Sequence, residues 1–386
     1  MVTRAELAAE TLDPPVAPAE PAAPTRRRRW PGWVLLGIGA AWLVFVLLQL
    51  VLSPVWSLWT LVDLLPPVSF LVVPLLVLLV AVPWPVVRVR MPVWSRVGVG
   101  VVTMVALALG TGQAGVNWPG RFGGGVGPPP AGALRVVSWD TLMWDQHKDP
   151  SRFYGYLRVQ HADVYLLQEH VEGVTNQLSP IDDGAGLRAA FPGYHVATAG
   201  ELVTLSRFPI VASRPLPTSA TPPPDVTYTA WPDFWRHRIL RTDIAVPGHV
   251  LTLYNLDLPD VFDLDLNPLE PRFYTTVQEL SASREIQFQA LHADLARNGH
   301  PAVISGVTNT LPDMGQMHWF DGLTDAARAG GPLYPTTLAF HGMTLWRMDW
   351  TFTTSAVRVH SYDLLDPEGL STHRLQSFVV SLAGGR

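Results

Sequence analysis

The chain has no cysteine, which removes disulfide frameworks, thiolate zinc sites and cysteine nucleophiles, while leaving the compartment open. Lysine is nearly absent as well. Lys148 stands alone beside 26 arginines, so a Walker loop ending in Gly-Lys is missing and Schiff-base chemistry has a single candidate residue. Charged residues make up only 15% of the 386-residue chain, against the roughly 25% usual in soluble domains, so part of it is expected to lie outside water. The little charge present is uneven. Residues 1–133 hold 9 arginines and 5 acids, a net of +4, which leaves 18 basic and 27 acidic residues in 134–386, a net of −9. A surface that tracks polymeric nucleic acid needs the opposite sign, because phosphate contacts supply most non-specific affinity. Polymeric nucleic acid is therefore an unfavourable partner.

What is abundant is apolar sequence. After an Ala/Pro/Glu-rich tail with little that can pack, and the cluster Arg26 to Arg29, a charge-free run extends from Trp33 to Leu52. Twenty such residues rise about 30 Å as a helix, the thickness of a hydrocarbon core. Further runs cover about Leu58 to Val82 and about Val97 to Val116. The second holds Asp63, Pro66, Pro67 and Pro74, which leaves two courses open: a helix starting only after Pro67, or a short or re-entrant segment. The first run is too long for a signal peptide, lacks a small-residue cleavage site and is followed by more apolar segments. An integral membrane anchor of about three helices over 33–116 is expected, behind a tail over 1–32. Arginines precede the first span, and Arg88, Arg90 and Arg96 separate the second and third. The positive-inside rule then puts the N-terminus inside and the C-terminal domain outside a bacterial-type inner (plasma) membrane; if the second run does not cross, the orientation reverses.

Residues 117–133, with GRFGGGVGPPPAG, have the composition of a linker and neither the helix nor the lysine of a phosphate loop. From Leu134 the pattern changes. LRVVSW, DVYLLQ, ELVTLSRFP, RTDIAV, HVLTLYNLDL, PAVISG, MDWTFTT and FVVSL read as strands, while Arg152 to Gln160 and Arg284 to Asn298 read as helices. Two strand-rich halves with helices between them predict one α/β (α+β) sandwich domain over 134–386.

Polar residues close several of these strands: Asp140 after LRVVSW, Glu169 after DVYLLQ, Asp257 in YNLDLP and Asn309 after ISGVTN, with Ser371-Thr372-His373-Arg374 ahead of the last strand. Each alone is an ordinary turn residue. As an ordered set, LRVVSWDT, ADVYLLQEH, TLSRFPI, LTLYNLDLP, REIQFQAL with PAVISGVTNT, RMDWTF and STHR resemble the motifs of the endonuclease/exonuclease/phosphatase superfamily, with its deoxyribonuclease-I-like fold. The resemblance implies a four-layer α/β/β/α sandwich and metal-dependent phosphoester hydrolysis. It implies that Asp140 and Glu169 handle a divalent metal (Mg²⁺ or Mn²⁺), that Asn309 positions the attacking water, and that His373 and the Asp257 position face the phosphate. Asp349 matches the Asp of the family's Arg-Ile-Asp-Tyr strand. Such a set is chemically apt, since phosphoryl transfer is mostly positioning plus charge neutralisation.

The chain departs from that pattern at four positions. The metal-side Asn is Asp140, the first His is Asp257, the water-activating Asp is Val307, and the Asp beside the last His is Thr372. Valine can neither accept a proton nor hydrogen-bond a water, Asp257 sets an anion against the phosphate, and Thr372 cannot stabilise an imidazolium by charge. Two functions follow: a catalytically impaired, extracytoplasmic pseudoenzyme or binding module, or an active metal-dependent phosphoesterase with a rebuilt Asp140/Glu169/Asp257 site. A phosphoester small molecule or a lipid is the ligand class expected if the domain acts, while the binding module leaves a protein partner open. Asp263, Asp265 and Asn267 imitate a calcium loop, but Pro268 stands where glycine is needed and no Glu ends it. Pro215 to Asp225 reads as a stiff connector, and His161, His170, His195 and His237 lack ligand spacing.

Overall fold

The computed structural model describes residues 30–81, 92–123, 127–144, 150–174, 177–219 and 231–382. The tail and Arg26 to Arg29, Arg88 and Arg90, Lys148, and Pro222 to Pro224 lie outside them.

The apolar runs become helices of unequal length. They are α1 (Trp30–Leu52), a one-turn α2 (Thr60–Asp63), α3 (Ser69–Ala81), α4 (Val93–Gly110) and a short α5 (Trp118–Phe122). By length and composition, Gly32–Leu52 and Val93–Gly110 can each cross a membrane, whereas α3 has 13 residues. The second run is thus not one span. Asp63 closes α2, and Pro66 and Pro67, each lacking an amide donor, separate it from α3. The three longer helices form a bundle, with Val46, Phe70 and Ala114 in one buried cluster and Val77 and Val99 in another. Residues 117–123 also differ from the expected loose linker. Asn117 donates from its backbone to Leu333 O (2.8 Å) and from Nδ2 to Ala327 O (2.6 Å), so α5 is docked on the following domain.

The first strand starts at Leu134. One sheet contains β1 (Leu134–Asp140), β2 (Val164–Gln168), β5 (His195–Ala199), β6 (Leu202–Ser206), β15 (Val357–Leu365) and β16 (Leu375–Leu382), ordered β15-β16-β1-β2-β6-β5. The other contains β7 (Ile210–Pro215), β8 (Ile239–Val246), β9 (His249–Asp257), β10 (Ala302–Val307), β11 (Thr324–Asp325) and β14 (Asp349–Thr353), ordered β11-β14-β10-β9-β8-β7. Two hairpins, β3 (Val171–Val174) with β4 (Gln177–Pro180) and β12 (Leu338–Phe340) with β13 (Met343–Trp346), stand apart.

Alternation along the strands produces the layers. Val136, Leu166, Leu253, Val303 and Phe378 pack between the sheets. Their neighbours point outward: Val137, Trp139 and Leu167 meet Phe153 and Leu157 of α6 (Ser151–Arg158) and Leu187 of α7 (Gly184–Ala190). On the other face, Tyr254, Leu256, Ile304 and Phe352 meet Phe288 and Leu291 of the long α9 (Pro271–Arg297), which follows the five-residue α8 (Pro232–Arg236). Sheets covered on both faces read as near-continuous apolar strands, as these do. The result is the expected four-layer α/β/β/α sandwich.

Candidate functional site

Among the described residues only the central pairs β1/β2 and β9/β10 are parallel, and this brings the polar strand ends together. The two sheets are tied near those ends by Gln168 Nε2, which donates to Asn255 Oδ1 (2.5 Å), and by Asn255 Nδ2, which donates to Leu167 O (3.0 Å). Asp140 therefore ends β1 on the same side of the sandwich on which Asp257 ends β9 and Val307 ends β10. β14 and β16 run the other way, so Asp349 at the start of β14 and His373 just ahead of β16 reach the same end. Val307 is buried and paired in register with both Asp257 and Asp349. Beneath it Gly306, at φ 139°, lets β9 and β10 approach; a Cβ there would overlap the Leu256 carbonyl. Glu169 and Asn309 follow their strands with φ of 51° and 47°, the left-handed conformation that non-glycine residues seldom adopt and that recurs at functional sites.

His373 is the best-held group. Its Nδ1 lies 3.0 and 2.9 Å from the two oxygens of Asp349, and its Nε2 lies 3.8 Å from Asp140 Oδ2. Trp139 Nε1 donates to His373 O (3.0 Å), and His373 N donates to Ser371 Oγ (2.9 Å), which fixes the backbone. Burial alone would lower the imidazole pKa, but Asp349 and then Asp140 outweigh it and hold it well above the usual histidine value. Thr372 brings no charge to this imidazolium; Asp349, from another strand, supplies it.

Asp257 is also not the bare anion expected. Arg238 Nη1 lies 3.6 Å from Asp257 Oδ2 and pairs with the buried Glu201, while the guanidinium stacks 4.3 Å above the Phe234 ring. Burial raises the Asp257 pKa and Arg238 opposes the rise. Glu201 is held well above the ordinary range by burial in spite of Arg238. Arg238 and Glu201 were missed from the sequence. Their only signal was a charge abutting an apolar strand at each of two places, Arg238 before β8 and Glu201 before β6.

The two proposed metal ligands are engaged by the backbone. Leu142 N donates to Asp140 Oδ1 (2.8 Å) and Met143 N to Glu169 Oε2 (3.1 Å). Burial pushes the Asp140 carboxyl up to about 7, against the pull of His373, and lifts Glu169 well above its ordinary value with help from Asp140 and Asp257. Asn309 Nδ2 donates to Leu258 O (2.9 Å) and to Asp260 Oδ1 (3.0 Å), a second carboxylate that sequence reasoning overlooked. Among the described residues no group of three or more His, Asp or Glu side chains is arranged to hold a metal ion. The oxygen donors have the right chemistry for Mg²⁺ or Mn²⁺. Their arrangement does not fit one: the carboxylates are spread over His373, Arg238 and backbone amides.

No protein-family model matches the chain, and no curated protein matches it. Among solved structures it is similar to an endonuclease/exonuclease/phosphatase from Beutenbergia cavernae DSM 12333, at 20% identity over 65% of this chain and 72% of that one, with a TM-score of 0.46. It is similar to a family protein from Leptotrichia buccalis C-1013-b (14% identity, 65% of this chain, 100% of that one, TM-score 0.44). A third is sphingomyelinase C from Streptomyces griseocarneus (14% identity, 65% and 99%, TM-score 0.41). The chain's own two sheets and flanking helices establish the four-layer sandwich, and two of these three solved structures carry the name endonuclease/exonuclease/phosphatase.

Proposed function

We propose that the chain is a membrane-anchored protein whose extracytoplasmic sandwich binds a phosphoester ligand on a phosphoesterase-type scaffold without hydrolysing it by water activation at the β10 strand end. The observation that carries this reading is Val307. It occupies the register position between Asp257 and Asp349, is buried, and offers no atom that can take a proton from water. The ligand class rests on His373, whose protonated imidazole is the cation that Asp349 and Asp140 favour beside the strand ends.

The anchor reading is supported by helix direction. Leu36 packs near Gly98, Gly39 near Val77 and Thr103, and Phe70 near Gly110, so α1 and α4 run together and α3 runs against them. Gln49, Ser53, Val68 and Asn117, at the ends of these helices, all bond to the sandwich. The start of α1 and Arg96 then lie at the far end. With Arg26 to Arg29 preceding α1, the positive-inside rule favours a cytoplasmic N-terminus and an extracytoplasmic sandwich.

A second reading, an active metal-dependent phosphoesterase, is favoured by one observation. Asp257 raises the pKa of Asp140, and both raise that of Glu169, a repulsion that a divalent cation would relieve. Titration of the full chain with glycerol phosphate, followed by the ring resonances of His373, tests the ligand-binding reading. A saturable shift accompanied by no phosphate release is expected. No shift at millimolar ligand would contradict binding, and release of phosphate would favour the second reading.

A further inference from the structure

The loops that carry the site are the loops that meet the anchor. Asn309 and Asp313 share the loop after β10; Gln49 Nε2 of α1 donates to Asp313 O (3.1 Å), and Gly315 N donates to Ser53 Oγ (2.8 Å). The β12–β13 hairpin bridges the same two places: Leu338 pairs with His373, and Trp346 Nε1 donates to Leu64 O (3.0 Å). Val261, Leu311 and Met314 bury one apolar cluster against Leu64, Phe262 and Trp346, so the loop after β9 joins this contact too. The strand-end face of the sandwich is thus seated on the helix ends that would mark the membrane surface.

Around this joint the chain leaves apolar side chains uncovered. Leu269 is 91% exposed, Leu264 72%, Met343 51% and Phe340 42%, and next to the helix ends Val55 is 76% and Trp56 48% exposed. Leu264 and Leu269 lie on the loop after β9, and Phe340 and Met343 flank the turn of the β12–β13 hairpin. Large apolar groups clustered on one end of a soluble-type domain mark an interaction surface. Continuity with the anchor identifies what covers this one.

We propose that the strand-end face lies flat on the bilayer, with Leu264, Leu269, Phe340 and Met343 in the interfacial layer beside the anchor. This inference rests on the anchor reading above. The partner is a zwitterionic lipid surface, because Asp263, Asp265 and Glu270 sit in the same loop as the leucines and would be repelled by anionic headgroups. Trp56 at the end of α1 suits the same layer, where aromatic side chains place an apolar ring and a polar edge.

Because the chain lacks cysteine, single-cysteine variants of the full protein can carry an environment-sensitive fluorophore at one position each. Leu269→Cys and Met343→Cys test the face, Val44→Cys within α1 tests the anchor, and the exposed Val159→Cys marks the opposite end, where α6 leads into the start of β2. The variants are reconstituted into phosphatidylcholine vesicles with and without a quencher attached to the lipid chain. Labels at 44, 269 and 343 are expected to lose emission to the quencher, and the label at 159 to keep it. If 44 is quenched while 269 and 343 behave like 159, the docked face is wrong and the anchor stands. If none of them is quenched, the anchor reading fails and this inference with it. A blue shift at 269 and 343 that appears in detergent and grows with protein concentration would assign the face to a second copy instead, and overturn the lipid assignment.

Discussion

The strand-end cluster and the joint with the helical bundle both bury carboxylates, and they treat the charge differently. In the cleft, Asp349 and Asp140 flank His373, and Asp257 and Glu201 flank Arg238. In the joint, Asp63 accepts from neutral groups, Gln49 Nε2 (2.5 Å) and Ser53 Oγ (2.8 Å), with Gln49 itself held by Trp59 Nε1 (2.7 Å). Asp313 next to it is 5% exposed, and among the described residues neither carboxylate oxygen has a hydrogen-bond partner. Burial, and then Asp63, hold its pKa well above the ordinary aspartate value. A buried charge must be paired or neutralised. At the strand ends, cations oppose the rise in pKa that burial imposes on the acids, whereas in the joint burial and a second carboxylate raise the pKa of Asp313 together. Fixed ion pairs favour a shape that holds a ligand.

The largest test of this contrast removes the cleft's cation. Arg238→Met leaves Glu201 and Asp257 without their partner, and breaking a buried pair costs about 3–5 kcal/mol, roughly 10 °C in Tm for a domain of this size. An unchanged Tm would mean that both acids are already protonated and that the pairing is idle.

Next in size is the pH profile. Acids whose pKa rises on folding bind protons in the native chain that the unfolded chain has released. Stability therefore falls as pH climbs from the ordinary aspartate value of 3.8 toward the value of about 7 for Asp140, with Glu169, Glu201 and Asp313 adding to the same slope. His373 acts in the same direction, because its raised pKa gives stability that is full below 6.5 and is lost above it. Thermal unfolding should show a Tm lower by roughly 5 °C at pH 8 than at pH 5, if a few kcal/mol are linked to these protons. A flat or rising profile would show the acids to be charge-compensated throughout.

Asp349→Asn should lower the His373 pKa, as loss of a contacting carboxylate does, readable in the imidazole resonances. Little movement would make Asp140 the dominant partner. The smallest effect is expected in the joint. Asp313→Asn removes a carboxylate that has no partner and supplies amide donors beside Asp63, so Tm near pH 8 should rise by an amount corresponding to about 1 kcal/mol. A fall would show that the joint, like the cleft, keeps its charge and pairs it.

Much of the sandwich was legible because its strands alternate or run continuously apolar and its helices carry spaced leucines; β1, β2, β9, β10 and the second half of α9 lie where the pattern put them. The strand-end positions of Asp140, Glu169, Asp257, Asn309, Asp349 and His373 were legible for the same reason. Their partners were not. Nothing local connects Asp349 to His373, 24 residues on, or Arg238 to Glu201, 37 residues before it, since these contacts exist only once two sheets are stacked. The docking of Asn117 was hidden in the same way: a Gly/Pro-rich composition describes residues 124–133 but says nothing of the carbonyls of Ala327 and Leu333 that await Asn117.

The central claim is that the acids of the cleft serve internal pairs and not a catalytic metal. Calorimetric titration of the full chain with Mn²⁺ and with Mg²⁺, beside an Asp140→Ala, Glu169→Ala variant, addresses it without requiring the ligand to be known. The expected result is no saturable heat at millimolar metal that distinguishes the two proteins. Saturable binding that is lost in the variant would contradict the claim and restore a metal-dependent phosphoesterase.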